Sequence, residues 1–135
     1  MTFKELLKNR ENIEFKIRSY TAKINELKKT YLPGKGNFEG GRTHNNTSPQ
    51  EVIVLRISIY EEKIEMLEKE LIEIEEELEK KLELIDDIRD RWIATLKING
   101  MSWKEISLQV FLSISHIQHI YKNIELQIAE REQGV

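Results

Sequence analysis

The sequence predicts an all-α chain, a long antiparallel coiled-coil helical hairpin followed by a C-terminal helix-turn-helix. Three observations lead there. Apolar residues recur in alternating steps of three and four along two long stretches. Between these stretches lies a segment that holds both prolines and four of the six glycines. After Gly100, a short and a longer amphipathic segment follow, each opened by a serine. Charged residues make up 33% of the 135 residues and aromatics 7%, a composition of long helices rather than of a compact mixed fold.

In the first stretch Phe3, Leu6, Ile13, Ile17, Tyr20, Ile24, Leu27 and Tyr31 form a stripe interrupted only at Arg10. The spacing predicts a helix over 2–31 whose stripe residues are core. Thr2 and Glu5 stand at capping-box spacing, where a hydroxyl and a carboxylate satisfy backbone donors that the first turn leaves open. Pro33-Gly34 predicts the stop, and residues 32–48 read as a connector without periodicity.

Ser48-Pro49-Gln50-Glu51 predicts a new start, with Ser as cap, Pro in the first helical position and Glu three residues after the cap. The stripe that follows runs through Ile53, Ile57, Tyr60, Ile64, Leu67, Leu71, Ile74, Leu78, Leu82, Ile85, Ile88 and Trp92. It slips by one position near Lys81-Leu82. It predicts a single helix over 49–98, roughly 70 Å long at about 1.5 Å per residue. Such a helix needs a partner for its apolar side.

Charge suggests the partner. Residues 1–50 hold ten Lys/Arg against five Asp/Glu (+5), residues 51–88 hold five against fourteen (−9), and residues 89–135 hold six against five (+1). A basic first helix and an acidic second one are expected to pair antiparallel, making residues 1–98 one domain and 99–135 a second. The first helix is the shorter, so a second copy of the chain is expected to cover the remainder, giving a homodimer or higher homo-oligomer. The run EELEKKLELIDDIRD reads as a solvated acidic side.

Several function classes are disfavoured. With no cysteine there is no disulfide and no thiolate chemistry. Nucleophile elbow, phosphate-binding glycine loop and metal-ligand spacing are all missing, so neither catalysis nor a cofactor is expected. His116 and His119 stand three apart but lack a third ligand, so no metal is expected. The first residues lack an apolar signal core, and no run approaches the roughly 18 apolar residues of a membrane span. A soluble, cytoplasmic protein with no membrane partner is expected.

Asn99-Gly100 predicts the end of the long helix. Ser102 and Glu105 form a capping box for a short helix, WKEISLQV, on which Trp103, Ile106 and Val110 share one side. Trp92 and Trp103 are expected to pack between the long helix and this short one. Ser113 then caps ISHIQHIYKNIELQIAE, with Ile117, Ile120 or Tyr121, Ile124 and Ile128 inward. A short helix, a brief turn and a longer helix fit a helix-turn-helix.

GMSWKEISLQVFLSISHIQHIY resembles the region-four helix-turn-helix of sigma factors, in which a Gly-x-Ser start precedes Glu-Ile and a Ser-capped recognition helix. With the coiled coil in front, the chain resembles small phage and prophage proteins of Gram-positive bacteria, similar to the RinA- and ArpU-type regulators of phage late transcription. The layout match spans nearly the full length, while the specific part is Trp92 to Tyr121. The resemblance implies a transcriptional regulator, an activator of late genes, acting in the cytoplasm of a bacterial host. Its partners would be double-stranded DNA and host RNA polymerase.

Matched residue by residue, Trp103, Ile106, Val110 and Ile117 fall on core positions and Ser113 on the recognition-helix cap. Ile114, Ser115, His116, Gln118, His119 and Lys122 fall on positions facing the major groove. Gln can pair with adenine, and Ser or His can bond base edges or phosphate. The turn, where the family usually has glycine, holds Phe111. Residues 99–135 carry Lys104, Lys122 and Arg131 against Glu105, Glu125, Glu130 and Glu132, a balance of −1. Phosphate neutralisation supplies most non-specific affinity, so binding by one copy is expected to be weak and steeply salt-dependent. The alternative is a coiled-coil scaffold or inhibitor of a host or phage factor, without DNA binding.

Overall fold

The computed structural model describes residues 1–31 and 49–134. Among them are five helices and no strand: α1 (Phe3–Tyr31), α2 (Pro49–Leu82), α3 (Ile88–Ile98), α4 (Trp103–Val110) and α5 (Ile114–Gln133). None of these is long and apolar enough to cross a membrane. The connector expected over 32–48, the Pro33-Gly34 stop and the Ser48 cap lie outside the described residues. The chain divides into two compact units, Arg10–Glu73 on one side and Met1–Asn9 with Ile74–Val135 on the other. The boundary expected between 98 and 99 falls inside the second of these.

In the unit Arg10–Glu73, α1 and α2 pack antiparallel. The Tyr20 and Tyr60 rings lie 5.5 Å apart, and Ile24 packs with Ile53 and Ile57, so positions rise along α1 as they fall along α2. Leu27, Tyr60 and Ile64 close over these isoleucines. Each isoleucine taken out of water contributes about 1.5–3 kcal/mol. Tyr31 departs from the expectation of core: it is exposed, at the margin of a cleft shared with Leu27, Arg56 and Tyr60. As the last residue of α1 it has no further turn to cover it, and its hydroxyl favours water.

The other unit has the larger core. Phe3 and Leu6 of α1, Leu78 and Leu82 of α2, Ile85, Ile93, Ala94, Ile106, Ile117, Ile120, Ile124 and Ile128 form one buried cluster. The isoleucines of α5 recur at steps of three and four, so a single side of that helix carries its whole contribution. Thr2 caps α1, its hydroxyl accepting from the Glu5 N–H at 3.2 Å.

The single helix expected over 49–98 is two helices, broken at residues 83–87. Leu84 and Ile85 donate to the carbonyls of Lys81 and Leu82, both at 3.0 Å, tightening the end of α2. Asp87 then caps α3, its carboxylate accepting from the Asp90 N–H at 2.9 Å. The Arg91 guanidinium donates to the Ile85 carbonyl through Nε and Nη2, satisfying an acceptor that the break would otherwise orphan. The break rotates the inward side of the helix. Ile88 is 81% exposed and Trp92 45% exposed, against the expectation of core for both, while Ile93 and Ala94 take the buried places.

Candidate nucleic-acid interface

Local backbone chemistry sets the geometry of the last three helices. Past Asn99, Gly100 adopts φ +94°. Its N–H donates to the Lys97 carbonyl, and that of Met101 donates to Leu96, both at 3.1 Å. This pair of bonds is the Schellman arrangement, in which glycine takes the left-handed position at no steric cost. Leu96 and Met101 both pack onto the core, as that motif favours.

Ser102 follows as the cap of α4, accepting from the Glu105 N–H at 3.1 Å. Its own hydroxyl donates to the Glu105 carboxylate at 2.9 Å, so the expected pair is reciprocal through the side chain. Phe111 ends α4 in the left-handed region, φ 59° and ψ 40°, the conformation that glycine most readily supplies. Two bonds hold the turn: Phe111 N–H to the Ser107 carbonyl at 2.9 Å, and the Ser107 hydroxyl to the Leu112 carbonyl at 2.5 Å. Ser113 caps α5, accepting from the His116 N–H at 3.2 Å.

Helices α3, α4 and α5 contact one another pairwise. Ile106 and Ile117 are buried, and Trp103 and Val110 are half-buried against the same core. Trp103 meets the Tyr121 ring edge-on, with centroids 5.6 Å apart at 74°. Lys97 Nζ, from α3, stands 4.2 Å from the Trp103 centroid. Burial pushes the Tyr121 phenol up to about 12, and the Glu125 carboxylate adds to the rise.

Ile114, Ser115, His116, Gln118, His119 and Lys122 are all exposed, while Ile117 and Ile120 between them, and Ile124 just beyond, are buried. On a 3.6-residue helix, Ser115, Gln118, His119 and Lys122 make one contiguous outer stripe. The sequence reading missed Asn123, whose amide lies 3.5 Å from His119 Nε2. The i, i+4 spacing from His119 is the signal that finds it.

No family model, curated protein or solved structure matches this chain.

The charges near the far end of α5 are largely engaged. Glu132 receives both the Phe3 N–H and the Lys81 ammonium, and Arg131 meets Asp86 at 3.0 Å. Lys104 and Lys122 are the cations exposed on α4 and α5 outside such pairs. Among the described residues, no three His, Cys, Asp or Glu side chains gather as a metal would require. The stripe can donate and accept hydrogen bonds through amide, imidazole and hydroxyl groups, and it carries little net charge.

Proposed function

We propose that the chain is a phage-type DNA-binding transcriptional regulator, an activator of late genes, in which α4, the turn at 111–113 and α5 act as a sigma-like helix-turn-helix. The observation that carries the reading is the division of α5: every residue assigned to the groove is outside and every interleaved isoleucine is inside. Eight residues of α4, three of turn and a Ser-capped α5 support it further. In this reading α5 enters the major groove, Gln118 pairs with adenine, and Ser115, His116 and His119 reach base edges or phosphates. Lys104 and Lys122 meet the backbone and Ile114 packs on thymine methyl groups.

The antiparallel α1–α2 pair serves, on this proposal, as a coiled coil for self-association and contact with host RNA polymerase. Two copies, or polymerase, raise the effective concentration of a reading head that binds weakly alone. No catalysis or cofactor forms part of the reading. Selection of duplexes from a random pool, at low and at moderate salt, tests it: recovery of a discrete sequence supports the proposal, and an unenriched pool at both salts refutes it. The exposed apolar residues of α2 favour one second reading, a coiled-coil interaction protein without DNA binding. It predicts that same unenriched pool.

A further inference from the structure

We infer that the side of α2 formed by Val52, Leu55, Ile59 and Met66 seats a second copy of this chain, the two α2 helices crossing antiparallel near Ile59. The inference goes beyond the DNA-binding proposal and does not rest on it.

These four side chains are between 44% and 61% exposed. Their steps of three, four and seven set them on one side of the helix, roughly 100° or more around from the Ile53–Ile57–Ile64 side that meets α1. Exposed single apolar residues are ordinary, but a heptad-spaced row of four is a packing surface, and among the described residues it is left largely exposed. Val54 and Ile72 are exposed too, on a different side. The unit itself is thinly built. Among its described residues only Ile13, Ile24, Ile53 and Ile57 are buried hydrophobics, and each keeps a small exposed area. Two helices alone cannot bury more, and a second pair laid on this row would.

The charge pattern sets the direction in which a second copy can lie, and the spacing about Ile59 suits a two-fold contact. Residues 49–60 hold one Glu51 and one Arg56, whereas residues 61–79 hold ten glutamates against Lys63 and Lys69, or −8. Two copies aligned in parallel and in register would run these −8 segments side by side. Two antiparallel copies centred on Ile59 lay residues 49–60 of each along residues 58–69 of the other, which hold four glutamates against Lys63 and Lys69, and point the six glutamates of residues 70–79 apart. Val52 and Met66 both lie seven residues from Ile59, so a two-fold axis there brings Val52 of one copy level with Met66 of the other. An isologous contact demands such self-complementarity. The cost is that Glu62 and Lys63 lie near the axis. Their tips can reach water, so exposed-pair energies of about 0–1 kcal/mol do not outweigh the apolar row.

Light scattering on the full chain reads the state directly. The wild type is expected at twice 16.0 kDa. Ile59→Asp should raise the dimer dissociation constant by more than about tenfold with helicity unchanged, since a carboxylate would be buried without a partner. Val54→Asp, the same change on another side of α2, should remain dimeric. The chain has no cysteine, so single replacements give clean probes. A short bismaleimide should link Ile59→Cys chains in pairs and fail to link Val52→Cys chains, whose sites would lie roughly 21 Å apart along the axis. A monomeric wild type up to high concentration overturns the inference. So does an Ile59→Asp protein that stays dimeric, or Val52→Cys linking as readily as Ile59→Cys. None of these readouts involves DNA, so they separate this inference from the DNA reading assigned to α5.

Discussion

The backbone N–H of Phe3 donates to a Glu132 carboxylate oxygen at 2.9 Å across 129 positions of sequence, and Lys81 Nζ meets the same oxygen. One side chain thereby joins the start of α1, the end of α2 and the last turn of α5. The Phe3 donor belongs to a helix N-terminus, where an anion is favoured by the unpaired N–H groups and the helix dipole. Replacing Glu132 by Ala leaves that donor and the Lys81 ammonium without their acceptor. Glu132→Ala should lose about 1–3 kcal/mol, read as a lower urea midpoint, with Glu132→Gln losing less. Equal stability of all three proteins would contradict the account of this contact.

The turn between α4 and α5 offers the opposite sign. Phe111 holds a left-handed backbone and is 89% exposed, so its ring contributes little packing there. The conformation costs an L-residue about 1–2 kcal/mol, and glycine removes that cost while gaining unfolded-state entropy. Phe111→Gly should therefore stabilise the protein by about 0.5–1 kcal/mol, measured by thermal or urea unfolding. A β-branched replacement, Phe111→Val, should destabilise it.

Tyr121 predicts a response at high pH. Burial and Glu125 raise its phenol to about 12, so the folded state favours the neutral form. The stability this lends is present in full below the unfolded value near 10, and is lost as pH climbs toward about 12. Phenolate absorbance of the wild type minus that of Tyr121→Phe should show an inflection near 12. An inflection near the unfolded value of about 10 would mean that the phenol is solvated.

Local chemistry made the C-terminal helices readable from sequence alone. Ser102, Ser113 and Thr2 cap where expected because the cap bond spans three residues and depends on little else. Gly100 stops α3 for the same local reason. The inward isoleucines of α5, and with them the outward candidate residues, followed from periodicity. The break at 83–87 was not read, although the stripe slipped at Lys81-Leu82 and Asp87 stood three residues before Asp90, a cap signal of its own. A run of heptad-spaced apolar residues favours one continuous helix. Only the tertiary core, which draws in Ile85, Ile93 and Ala94 together, decides against it. Ile88 and Trp92 were misplaced as a direct consequence. Tyr31 was misplaced because a stripe carries no information about where its partner ends. For the site, exposure of the six candidate residues was foreseeable, whereas affinity for DNA depends on charge placement that periodicity does not report.

The central claim is that the outer stripe of α5 reads DNA, and one measurement addresses it most directly. Sheared phage and host DNA would be enriched on the purified wild type and on a Gln118→Ala/His119→Ala variant, at low and at moderate salt. Both replacements are at exposed positions, so unchanged helicity and unfolding midpoint verify an intact fold. The account predicts that the wild type recovers a discrete site, more strongly at low salt, and that the variant loses it. Failure of the wild type to enrich any duplex, or a variant that enriches the same site equally well, would contradict it.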